Sequence, residues 1–193
     1  GRLSICTSGR DGTRWWKELE GRWTPGLLHA GIGVGDNPRL ALVDMTGDGN
    51  LDIVASGGEG WSALDASLES APLSEAGERA IAWAPVLLEP GSGPAIVNLV
   101  EDGLHVHAAG KGRFPFVTMT FSGRTETGDS MRSNGSGIGT RVAARVGSRW
   151  TITGTLRADS GPGQSLQPIS VGLGPAEKID FIAIDWSDGV FQT

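Results

Sequence analysis

The chain has 193 residues, among them 31 Gly, 10 Pro, 7 Trp, a single Cys and no Tyr. The formal net charge of −6 and the pI near 5.0 argue against general nucleic-acid binding. The lone Cys6 excludes an internal disulfide, and no run of about 18 apolar residues is present to span a membrane as a helix.

Many short apolar runs punctuated by Gly, without long amphipathic stretches, predict an all-β chain. It opens directly in an apparent strand with no leader, so a fragment or a processed product is expected. Residues 3–7 and 13–19 should pair across a turn carrying Asp11-Gly12. Trp15, Trp16 and Trp23 are expected to pack between sheets, because large aromatics contribute burial first.

The most informative stretch follows. Asp44, Asp48 and Asp52 stand at positions one, five and nine of Asp44-Met45-Thr46-Gly47-Asp48-Gly49-Asn50-Leu51-Asp52, with the apolar runs 40–43 and 53–55 on either side. Three carboxylates in one turn repel one another unless a cation or solvent neutralises them. Gly47 and Gly49 let the backbone coil tightly. Hard cations such as Ca²⁺ take oxygen ligands. Asp44, Asp48 and Asp52 are therefore read as carboxylate ligands, Thr46 as a weaker oxygen and Asn50 as a backbone-carbonyl ligand. The bland alternative is a metal-free Asx/Gly turn. An EF-hand is excluded, since position twelve is Ala55 and strands replace the flanking helices. This D-x-T-G-D-G-x-x-D pattern between strands resembles the calcium loop of the FG-GAP (VCBS-type) repeat, the blade unit of integrin-like β-propellers. Thr46, where that repeat commonly has Asp or Asn, implies a weaker site.

Residues 59–112 read as a second, degenerate blade without a calcium loop. Within it, 71–80 is either a short helix or a loop, 81–88 is extended around Pro85, and a hairpin turns at Asp102-Gly103. Alternation puts His105 and His107 on one face, expected to look toward solvent. Composition then shifts: from 111 to 157 Lys111, Arg113, Arg124, Arg132, Arg141, Arg145, Arg149 and Arg157 face only Glu126 and Asp129. In the hairpin around Gly147-Ser148, Val142, Ala144 and Val146 are expected inward, as are Trp150, Ile152 and Leu156. Arg141, Arg145 and Arg149 would then share an exposed face, either as plain solvation and edge protection or as a docking surface for an acidic partner. The apolar run in 178–186 reads as a buried central strand.

Residues 132–142 (Arg-Ser-Asn-Gly-Ser-Gly-Ile-Gly-Thr-Arg-Val), 160–165, Gly172-Leu173-Gly174 and 184–189 together resemble the ASPIC/UnbV domain, which follows FG-GAP blades in cartilage-acidic-protein-like and bacterial exported proteins. The two resemblances imply propeller blades over 1–112, about two of them, and a small antiparallel β-domain over 113–193. They imply an exported (periplasmic, cell-surface or extracellular), calcium-binding interaction or scaffold module. Its partners would be other proteins or the remaining blades, since two blades cannot close a propeller. An enzyme is not expected. The sequence holds no G-x-S-x-G elbow and no Walker loop, and Gly31-Ile32-Gly33-Val34-Gly35 lacks the strand–helix setting of a dinucleotide site. The rival reading is a glycan-binding module that uses exposed Trp.

Overall fold

The structure, a computed structural model, describes residues 4–9, 12–29, 39–57, 60–64, 74–76, 80–107, 113–123, 135–156 and 168–193. These residues form sixteen strands in five antiparallel sheets, and no helix occurs among them. The expected all-β class is therefore observed.

Three meanders come first. Strands β1 (Ser4–Gly9), β2 (Gly12–Leu19) and β3 (Arg22–His29) form one sheet, with Gly9 paired to Gly12 at the expected turn. Strands β4 (Arg39–Val43), β5 (Asp52–Gly57), β6 (Gly60–Leu64) and β7 (Ser74–Ala76) form the second. Strands β8 (Ala82–Val86), β9 (Ala95–Val100) and β10 (Gly103–His107) form the third, and Pro85 sits on its edge strand, the place in a sheet where proline is tolerated. Residues 59–112 are thus not one unit, because β6 and β7 complete the sheet begun by β4 and β5. The stretch expected as helix or loop contributes strand β7; residues 71–73 and 77–79, like 31–35 and 160–165, lie outside the described residues.

Strand β5 explains how the meanders pack. Val54 joins Ala41 and Met45 against Trp83 and Ile96 of the third meander. Ile53 and Ala55 point the other way, against Cys6 and Trp15 of the first. Successive side chains leave a strand on opposite faces, so this continuous apolar run serves two interfaces at once. The middle sheet lies between the other two, and its leading strand β4 contacts both β1 and β8. Trp83 Nε1 also donates to Ser56 Oγ across this packing.

The rest of the chain is a two-layer unit. Strands β11 (Phe116–Met119) and β14 (Ile169–Gly172) pair with each other. Strands β12 (Arg141–Val146), β13 (Arg149–Gly154), β15 (Phe181–Asp185) and β16 (Phe191–Gln192) form a sheet in the order β13-β12-β15-β16. Val142, Phe121 and Ile169 meet between the layers with Met119, Ile182 and Ile184. Strand β15 is interior in order but half-buried, not the fully buried strand expected, because one side of its sheet faces solvent.

Two facings differ from expectation. The two-residue turn at Gly147-Ser148 pairs Val146 with Arg149 and Ala144 with Thr151. Directly opposed residues share a face, so Arg149 and Thr151 lie with the buried Val142, Ala144 and Val146. Trp150, Ile152 and Leu156 are 50%, 54% and 69% exposed. In β10, His105 and His107 occupy the half-buried side while Leu104 and Val106 face outward.

Candidate functional site

The 44–52 loop joins β4 to β5 and is built around two buried carboxylates. Asp44 Oδ1 accepts from Gly47 N at 2.6 Å, and Asp44 Oδ2 from Gly49 N at 2.8 Å. Asp52 Oδ2 accepts from Met45 N at 2.7 Å and Thr46 N at 3.2 Å. Gly47 and Gly49 have φ of 79° and 84°, the left-handed region in which a side chain is costly and Gly is not. Those two kinks turn the loop's amides toward Asp44.

The remaining predicted ligands lie toward the rim. Asp48 is half-buried and accepts from Asn50 through both oxygens, from N at 2.8 Å and Nδ2 at 2.9 Å. Thr46 Oγ1 accepts from Asp48 N at 3.4 Å, and Asn50 is exposed. Among the described residues no three His, Cys, Asp or Glu side chains converge as a metal-holding group. The fold therefore brings Asp44 and Asp52 together at the base and leaves Asp48 folded over Asn50.

Burial decides the electrostatics. Asp52 is pushed up to about 7, first by desolvation and then by the charges of Asp44 and Asp48, against the pull of the Met45 and Thr46 amides. Asp44 is raised as well, chiefly by desolvation, while the amides of Gly47, Gly49 and Gly172 oppose the shift. Arg113 is lowered by desolvation and partly restored by Asp44 and Asp52; its Nη1 donates to Pro94 O at 2.9 Å. Neutral N–H groups therefore hold two acids whose charge burial disfavours. Carboxylate and hydroxyl oxygens are the donor types a hard divalent cation such as Ca²⁺ takes, although Asp48 does not converge with Asp44 and Asp52 here.

The loop is also a junction. Phe114 N donates to Thr46 O at 2.9 Å, Gly174 N to Gly47 O at 2.7 Å, and Thr151 Oγ1 to Gly49 O at 2.9 Å. Arg149 Nη2 donates to Gly172 O at 2.8 Å, and its guanidinium lies where a side chain on Gly49 would stand. A Cβ on Gly172 would run into Asp44 Oδ2 and the Gly47 carbonyl. Three carbonyls of the loop are thus met by donors from the C-terminal half.

Of the three arginines expected on one exposed face, Arg149 turns inward to the acid loop while Arg141 and Arg145 remain outside. Arg113, Thr151 and Gly172 were not singled out as site residues from sequence. The signal for Gly172 lay in the Gly172-Leu173-Gly174 motif, and that for Thr151 in the register imposed by the Gly147-Ser148 turn. Of the tryptophans whose side chains are described, Trp23 and Trp150 are exposed, Trp15, Trp16 and Trp186 half-buried and Trp83 buried.

Comparison with known families places residues 128–193 in the family model described as ASPIC and UnbV. No curated protein and no solved structure matches the chain. The matched segment supplies Arg149, Thr151, Gly172 and Gly174, which seat on the acid loop; the loop itself lies outside it.

Proposed function

We propose, taking residues 128–193 as an ASPIC and UnbV domain, that the chain is a calcium-stabilised, exported interaction or scaffold module whose acid loop staples its two halves. The observation that carries this reading is the pair of buried acids, Asp44 under Gly172 and Asp52 near it, which accept hydrogen bonds from backbone amides while Arg113 adds a nearby positive charge. A bound cation would be held by Asp44, Asp52, Thr46, the Asn50 carbonyl and Asp48 once its carboxylate leaves Asn50. It would supply positive charge to a desolvated acidic pair, and so rigidity rather than chemistry. With Thr46 in place of an acid, a weak affinity of about 10⁻⁴–10⁻³ M is expected, the range of extracellular calcium modules.

The partner is read as further sheets of the same kind, the remaining blades of a propeller. Support comes from the face-to-face packing of the three meanders and the adjacency of β1, β4 and β8. Beyond the third meander, Leu99, Leu104 and Val106 share one side of the sheet and are 40%, 69% and 53% exposed, an apolar face with the character of those already covered.

Thermal melting with calcium and with a chelator tests the reading. A tenfold excess over Kd contributes about 1.4 kcal/mol, or roughly 3–6 °C for a chain of this size. An unchanged midpoint at 10 mM calcium overturns the calcium part.

A further inference from the structure

The outward side of the β13-β12-β15-β16 sheet has no role in the reading above, and its register is informative. Trp150, Arg145 and Phe181 stand directly opposite one another across three strands. The next row on this side is Ile152, Ala143 and Ala183, and the third is Gly154, Arg141 and Asp185, with Phe191 beside Asp185. Ala143 and Ala183 thus leave a low place on the sheet, bordered by Ile152 and by the larger side chains of the neighbouring rows. Trp150, Ile152, Phe181 and Phe191 are 50%, 54%, 38% and 66% exposed.

Arg145 is the distinctive member. Its guanidinium carbon lies 5.9 Å from the ring centre of Trp150 and 5.9 Å from that of Phe181. The two rings meet edge to face, 6.0 Å apart at 77°. The two rings flank the guanidinium and restrain it, and a planar fork restrained in this way binds a carboxylate bidentately at lower entropic cost. Arg141 has Asp185 opposite it, whereas the neighbours in register with Arg145 are both uncharged. An arginine covered by a partner needs an anion.

We propose that this face binds an extended acidic segment of a partner protein, with a carboxylate on Arg145 and apolar side chains against Trp150, Ile152 and Phe191. Two observations favour a polypeptide over an acidic glycan. Rings crossed at 77° offer no coplanar platform for successive sugars. The mixture of aromatic, aliphatic and Arg side chains has the composition of a protein-interface core. The site is independent of the acid loop, so it stands or falls without calcium.

The test uses the whole chain and two polymers, poly(Glu,Tyr) and alginate, with binding followed by calorimetry at physiological salt. The chain's net charge of −6 repels both polymers at long range, so binding must come from a local site. Poly(Glu,Tyr) should bind, at least tenfold more weakly after Arg145→Ala and several-fold more weakly after Arg145→Lys, which keeps the charge and loses the fork. Arg145 is exposed, so unchanged melting of both variants verifies folding. Equal binding by wild type and Arg145→Ala, or no binding at millimolar polymer repeat, overturns the proposal. Alginate binding that depends on Arg145, without poly(Glu,Tyr) binding, also overturns it and assigns the face to an acidic glycan.

Discussion

Gly172 passes so close to Asp44 that a methyl group at 172 would occupy the space of Asp44 Oδ2. The backbone of β14 reaches the acid loop only because that residue has no side chain. The contact joins a strand of the C-terminal unit to a loop more than a hundred residues earlier.

Gly172→Ala should therefore destabilise the chain by about 1–3 kcal/mol, the usual cost of forcing a methylene into a packed site. The obstacle is backbone and a buried carboxylate, neither of which can swing aside. Gly9→Ala, where the added methyl meets nothing within 4 Å, is the matched control. Urea denaturation of both variants checks this, and equal midpoints would show that β14 does not rest on the loop.

Thr151→Val removes one hydroxyl at nearly constant volume. That hydroxyl donates to Gly49 O, so the substitution leaves a buried carbonyl without its donor at the seam between the halves. A loss of about 1–3 kcal/mol follows. Amide hydrogen exchange should localise the effect: faster exchange at Gly47, Gly49 and Gly174, and none in β1 and β2.

The facing of Thr151 and Arg149 marks where sequence reading stopped. The strands and the turns at Gly147-Ser148 and beside Gly103 follow from apolar runs and turn chemistry. Alternation shows that a strand has two faces, not which of them is covered. In β13 the apolar set Trp150, Ile152 and Leu156 looks like the inside. Yet Val142, Ala144 and Val146 fix the inside of β12, and a two-residue turn then leaves Arg149 and Thr151 with them. That inner face meets an acidic loop, so a basic and a hydroxyl side chain suit it. The same inversion occurs in β10, where Leu104 and Val106 face outward. The acid loop itself was legible because its residue types and spacing carry the chemistry. Its burial by Gly172 was not, since it depends on contacts across more than a hundred residues.

The raised carboxylates set a pH dependence for the calcium-free chain. A carboxyl whose folded pKa exceeds its unfolded value holds its proton longer when folded. Stability from that group is present below the unfolded value of 3.8 and is lost as pH climbs toward about 7, the folded value for Asp52. Asp44 acts in the same direction. In chelator the melting midpoint should fall between pH 5 and pH 8. Saturating calcium favours the ionised acids, so it should reduce or reverse that fall. A chelated midpoint that rises over this interval would show that the two acids are not desolvated as described.

Asp52→Asn separates the two consequences of a buried charge. The amide oxygen can still accept from Met45 N and Thr46 N, as Asp52 Oδ2 does at 2.7 and 3.2 Å, so the loop keeps its fold. The charge that burial and Asp44 disfavour is gone. In chelator at pH 8 the variant should therefore melt at or above the wild-type temperature, with a flatter pH profile. With calcium the order should invert, because a carboxylate ligand at the base of the loop has been lost and the calcium-induced rise should shrink or vanish. If Asp52→Asn melts lower than wild type in chelator and keeps the full calcium response, Asp52 is neither a strained acid nor a ligand, and the staple lies elsewhere in the loop.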